Sequence, residues 1–305
     1  MKIDENLLLD KLCQSVKRYI ELAIKEYGSY MKPEQLELLN NLKESNDIVR
    51  FNNDKTVSFF CMNDYIKIPR YAVGILKKLK WIPGFGANKK HKCYKDGEIL
   101  NNTTYLGYLK HVIIAGLNYE QFCEESLPHE VIHLCGSGGW DPFREGLTEL
   151  KARMLSIKYN LPLSRCGYNK EVAIVSAVQD ILGEDLMSKI AFTPNEFEVM
   201  SFVVDKYGAD VFEKLVQIRS KMRVVCSYKN VHSNGILSPI KKILSYDKLD
   251  YSEVWPIIEE LKQEVEKNQY KTDLKYDGIM DYIRSKEQTT EIEIEDNKEN
   301  IKSQR

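Results

Sequence analysis

Residues 127 to 150 read LPHEVIHLCGSGGWDPFREGLTEL, and this stretch restricts what the rest of the chain can fold into. On a helix, residues four apart project from one face. His129 and His133 therefore share a face of a first helix, and Glu145 and Glu149 share a face of a second. Gly136, Gly138 and Gly139 break the first helix and allow a tight reversal. Asp141 is suited to cap the second, with Pro142 in its first turn. The two glutamates are inward candidates together with the apolar Leu150. Four polar groups on two short amphipathic helices must meet one another or remain in water.

The pentad His129-Glu130-Val131-Ile132-His133 is HExxH. Two imidazole nitrogens one turn apart can reach one tetrahedral zinc ion. Glu130, next to the first ligand, can accept a proton from metal-activated water instead of binding the metal. A catalytic zinc usually takes three protein ligands, which makes the third the decisive question. The extended pattern HExxHxxGxxH fails: Gly136 occupies its glycine position, but Gly139 stands where the third histidine would be. On the following helix, one of Glu145 and Glu149 can bind the metal while the other hydrogen-bonds a ligand histidine and fixes its tautomer. Cys135, two residues past His133, points to another face of the helix and belongs to the core.

HExxH followed by a helix carrying REGLTEL resembles the gluzincin class of zinc metallopeptidases over about residues 105 to 155. The short interval from His133 to Glu145 is similar to compact, minimal members. The resemblance implies Glu145 as third ligand, Glu149 as the carboxylate behind His129 or His133, and one Zn2+ ion. It implies peptide-bond hydrolysis with Glu130 as general base. It also implies an edge strand just before the active helix that aligns an extended peptide. HVIIAG (His111, Val112, Ile113, Ile114, Ala115, Gly116) occupies that place and has the β-branched content of a strand. The expected fold is α+β and zincin-like: a small mixed sheet, the HExxH helix, then a mainly helical C-terminal region.

Peptide hydrolysis also needs a donor for the developing oxyanion. Tyr168 in RCGYNKE comes first and His232 in NVHSNG second, with Tyr105 and Arg144 as further candidates. His91 lies in a basic cluster that reads as a solvated loop. Two other readings stay open: a zinc hydrolase of a different amide or ester, and a weakly catalytic zincin-fold protein with a binding or regulatory role.

The helical period predicts helices over 5 to 27 and 33 to 45, then short strands in IVRFN, TVSFFC and YIKIP, and a short helix at 71 to 80. Residues 84 to 102 read as a loop or lid. Beyond Arg165 helices are expected at 170 to 182, 195 to 207, 210 to 222, 236 to 246 and 251 to 268, several stopped by glycine. The expected parts are N-terminal helices (1–46), a catalytic core (47–165), a helical region (166–285) and a disordered tail (286–305) poor in large apolar groups. With 44 basic and 45 acidic side chains, bulk charge directs the chain to neither nucleic acid nor an anionic membrane. The expected partner is a peptide or protein substrate. No export signal or apolar run of membrane-spanning length is visible, and seven scattered cysteines without a CxxC pair suggest reduced thiols. The expected location is the cytoplasm.

Overall fold

The computed structural model describes residues 5–52, 60–62, 64–69, 94–95, 98–99, 123–136, 141–162, 168–227 and 249–269. Helix α1 (Glu5–Tyr27) leads through a 3-10 turn (Gly28–Tyr30) into α2 (Pro33–Glu44). Short strands follow: β1 (Val49–Asn52), β2 (Phe60–Cys61), β3 (Ile66–Pro69), β4 (Tyr94–Lys95) and β5 (Glu98–Ile99). The remaining described elements are helices: α3 (Leu127–Cys135), α4 (Pro142–Tyr159), α5 (Asn169–Leu182), α6 (Glu184–Phe192), α7 (Glu196–Tyr207), α8 (Ala209–Ser227) and α9 (Val254–Gln269).

The expected α+β, zincin-like architecture is therefore corrected: the described residues are mostly helical. Among them the larger sheet has three strands in the order β1-β3-β2, with β1 parallel and β2 antiparallel to β3. Among the described residues no strand exceeds four residues. Only one face of so small a sheet can enter a core, and that face supplies Val49, Ile66 and Ile68 beside Ile48 to a cluster built mainly by helices. The alternating pattern of IVRFN and YIKIP correctly marks strands, but strand content does not make a sheet-centred fold. Residues 94 to 99, expected within a lid loop, carry the antiparallel pair β4 and β5, flanking an Asp-Gly dipeptide of the kind favoured in hairpins. The strand expected at 111–116 and the helices expected at 71–80 and 236–246 lie outside the described residues.

Two apolar clusters organise the molecule. The first joins α1, α2, the sheet and α3; the second joins α5 through α9. Helix α4 serves both. Its N-terminal half gives Phe143, Leu147 and Leu150 to the second cluster, and further along Ala152 and Leu155 enter the first. Helix α3 is enclosed on nearly every face: His133 is its only residue that is not buried, and Leu127 and Cys135 at its ends have no exposed surface. Helix α6 was missing from the sequence expectation. Its Phe192 stacks on Tyr27 of α1, with ring centroids 4.8 Å apart.

One side chain fixes the ends of two of these helices. Gln35 accepts a hydrogen bond from the Lys32 backbone at the start of α2. Its amide donates to the carbonyls of Cys135 at 3.3 Å and Phe192 at 3.2 Å, the last residues of α3 and α6. Helix C-termini leave carbonyls without intrahelical partners, and one amide serves two of them. Gly136 follows, where an added Cβ would come within 3.0 Å of the Ala191 carbonyl oxygen. Its backbone is extended, so the glycine is needed for close approach to α6 and not for a left-handed turn.

Lys151 sits at the seam between the clusters with no exposed surface. Its ammonium donates to Gln179 Oε1 at 3.0 Å and Ser188 Oγ at 2.9 Å, both neutral. Burial lowers its pKa from 10.5 to about 8. Below pH 8 the amine is charged whether the chain is folded or not, and the folded state bears the full desolvation cost. Between pH 8 and 10.5 the folded amine is neutral while the unfolded one still binds a proton, so stability rises with pH. Relative to a Lys151→Met variant, the wild type should gain about 3 kcal/mol across that window. Paired denaturant titrations at pH 7 and 10.5 check this; a pH-independent difference would show that the amine is solvated.

Candidate metal centre

Helices α3 and α4 present their polar faces to each other. Pro128 and Glu130 stand in the first turn of α3, and Gly136 ends it by donating its N–H to the Ile132 and His133 carbonyls. Asp141 caps α4, its carboxylate accepting from the Arg144 N–H at 3.0 Å, with Pro142 as first helical residue. Gly138 and Gly139, expected to allow a tight reversal between the two helices, lie outside the described residues. Arg219 and Arg223 of α8 also bond Asp141, at 3.1 and 3.2 Å. The cap is thereby anchored to the second apolar cluster.

His129, His133 and Glu145 converge and could hold a metal ion. His129 Nε2 lies 3.0 Å from His133 Nε2 and 3.3 Å from Glu145 Oε2, and His133 Nε2 lies 3.5 Å from the same oxygen. A tetrahedral ion with ligands at about 2.0–2.1 Å requires its donor atoms to be roughly 3.3–3.4 Å apart. The observed triangle has the dimensions of one face of that tetrahedron, so the residues fit such an ion.

The electrostatics agree with the geometry. His129 and Glu145 are both buried. Burial alone would lower the pKa of His129, but its hydrogen bonds to Glu145 and Glu149 together outweigh that and raise it to about 10. Burial would likewise raise Glu145, yet its bonds to His129 and His133 hold the carboxyl well below the usual range. Two carboxylates facing one imidazole favour positive charge at this point, a role that a divalent cation could fill.

Glu149, one turn beyond Glu145, has a different role. Its Oε2 accepts from His129 Nδ1 at 2.9 Å, leaving Nε2 to face the centre. Its Oε1 accepts from Arg153 Nε at 2.7 Å. Arg153 Nη2 in turn donates to Asn169 Oδ1 at 2.7 Å. Glu149 and Arg153 are each 1% exposed. Neither Arg153 nor Asn169 figured in the sequence reading. The signal was an i, i+4 Glu–Arg pair, which is usually a solvated surface pair.

Gly146, between the two carboxylates, explains the glycine of REGLTEL. An added Cβ would lie 2.8 Å from the Glu171 backbone carbon, so the glycine allows α5 to cross α4 at this point. At the start of α5, Tyr168 has a left-handed backbone (φ 57°, ψ 26°), rare for an aromatic residue. That conformation accompanies a ring stacked on His129, centroids 5.4 Å apart and planes 10° off parallel. Backbone strain of this kind concentrates at functional sites.

Glu130 is buried beside His129. Strand β2 packs on α3, and its Cys61 lies within electrostatic reach of the site: burial first, then the Glu130 charge, pushes the thiol pKa up. Cys135 is fully buried in the first cluster. A cavity of about 10 Å³, room for roughly one water, lies beside His133 between α3, α4 and α6, with Arg144 and Thr148 in its wall. The Arg144 guanidinium bonds Glu196 at 3.0 Å. His91, Tyr105, the 111–116 segment and His232 all lie outside the described residues. Among the described residues no helix is long and apolar enough to cross a membrane.

The two glutamates are separable by experiment. Glu145→Ala should abolish retention of a divalent metal, whereas Glu149→Ala should weaken it by about 10- to 100-fold. Affinity of the wild type should rise with pH from 6 to 10, as the His129 proton becomes easier to displace. Chelator-competition titrations at several pH values measure both; equal losses from the two variants would contradict the assignment of Glu145 as the ligand.

Comparison with protein-family models, curated proteins and solved structures finds no match.

Proposed function

We propose that this protein is a zinc-dependent peptidase with a gluzincin-like ligand set, holding one Zn2+ ion through His129, His133 and Glu145. The observation that carries the proposal is the donor triangle of 3.0, 3.3 and 3.5 Å, formed by His129 and His133 of the HExxH helix with Glu145 of the next, Glu130 being buried on the first. Zinc in such a site supplies a Lewis acid that acidifies water and polarises a carbonyl.

In this reading Glu130 is the general base: it takes a proton from the attacking water and passes it to the departing amine. Its buried position favours that work, because a proton acceptor shielded from bulk solvent keeps its direction. Glu149 accepts from His129 Nδ1 and so leaves Nε2 as the nitrogen directed at the ligand position. Tyr168, stacked on His129, is the first candidate to donate a hydrogen bond to the oxyanion, and His232 is the second. The segment from His111 to Gly116 is the proposed peptide-aligning strand. The proposed setting is the cytoplasm, in keeping with free thiols at Cys13, Cys61, Cys123, Cys135 and Cys226.

A peptide-library digestion tests the proposal. The wild type should contain zinc and cleave. Glu130→Gln should contain as much zinc and cleave about 10²- to 10⁴-fold more slowly, the usual worth of a general base. Wild-type protein without zinc would overturn the whole reading. Zinc with turnover of small amides but not peptides would replace it with a non-proteolytic hydrolase. On the same substrates Tyr168→Phe should reduce kcat by about 10²- to 10³-fold with metal content unchanged, if its hydroxyl stabilises the oxyanion; an unchanged kcat would move that role to His232.

A further inference from the structure

We propose that Arg153 is a positioning residue for the metal centre, which orients His129 through Glu149 and connects that orientation to helix α5 through Asn169. The inference rests on His129 being a metal ligand and does not require the protein to be a peptidase.

A carboxylate has two oxygens and can rotate. For Glu149 to direct Oε2 at His129 Nδ1, its other oxygen must be held, and Arg153 Nε holds it at 2.7 Å. The guanidinium is planar, so fixing one more of its nitrogens fixes the plane. Asn169 does this from the first residue of α5, accepting from Nη2 at 2.7 Å. The chain Asn169–Arg153–Glu149–His129 thus runs through groups no more than 8% exposed. Tyr168, the residue before Asn169, covers the face of the same imidazole. The N-terminus of α5 therefore holds His129 in two ways: by ring stacking, and along the imidazole plane through the hydrogen-bonded chain.

A simpler role for Arg153 would be to neutralise a buried carboxylate, whose charge would otherwise stand uncompensated and destabilise the fold. Arg153→Lys separates the two roles. Lysine keeps the charge but offers one nitrogen on a flexible stem, in place of a fork whose Nε and Nη2 address different partners. Asn169→Ala removes the far anchor and leaves the Glu149–Arg153 pair in place.

Both variants should be compared with the wild type by chelator competition for zinc, by the visible absorption of the cobalt-substituted protein, and by denaturant unfolding of the metal-free protein. Arg153→Lys is expected to bind zinc about tenfold more weakly, and Asn169→Ala severalfold more weakly. Both should show an altered cobalt spectrum and a metal-free unfolding midpoint close to the wild type. Wild-type affinity in both folded variants would overturn the proposal. So would weakened binding found only where the metal-free fold is lost in proportion. A wild type that binds no zinc would remove the metal reading and this inference together, whereas failure to cleave peptides would leave it standing.

Discussion

Two carboxylates one helical turn apart, both nearly removed from water, constrain the rest of the structure. Glu145 and Glu149 are 5% and 1% exposed, and a buried charge is tolerated only when paired and hydrogen-bonded. The two share His129, one at each ring nitrogen, and differ in their other partners. Glu145 is met by the two imidazoles of α3, and Glu149 by His129 on one oxygen and Arg153 on the other. That division accounts for much of the packing nearby. Helix α3 must lie against the first turns of α4, and α5 must come close enough to offer Asn169, which requires glycine at 146.

The same constraint explains why α4 is shared between two apolar clusters. Its polar face cannot be solvated, because α3 covers it. Its other faces are then available for core packing on either side, Phe143, Leu147 and Leu150 in one direction and Ala152 and Leu155 in the other. Buried Lys151 and Arg153 lie in this same helix. Lys151 has only neutral hydrogen-bond partners and carries a depressed pKa. Arg153 faces a carboxylate.

Features written in local spacing were legible in the sequence. The histidine pair, the glutamate pair, the Asp141–Pro142 start of α4 and most helix boundaries follow from periodicities and caps that span a few residues. Architecture was not legible in the same way. Four-residue strands and the strands of a large sheet show the same alternation, and the pattern does not tell how many neighbours each strand has. The resemblance to a sheet-based class then carried the fold expectation past what IVRFN and YIKIP support. Arg153 and Asn169 were missed because their partners are set by tertiary contact. Charged residues four apart on a helix look alike in sequence whether they face water or a core. Gln35 escaped for a related reason, since its two carbonyl partners belong to helices distant along the chain.

The position of α5 has a consequence for the order in which the centre can be assembled. All three candidate ligands precede residue 146, while the groups that steady His129, namely Tyr168 and Asn169, follow it. A chain emerging from the ribosome presents its donors first and their supports afterwards. Without α5 packed across α4 at Gly146, neither the stacking on His129 nor the hydrogen-bonded chain that steadies Glu149 is complete. The triangle of donors is therefore not a property of α3 and α4 alone, since its geometry rests on helices that follow it in the chain.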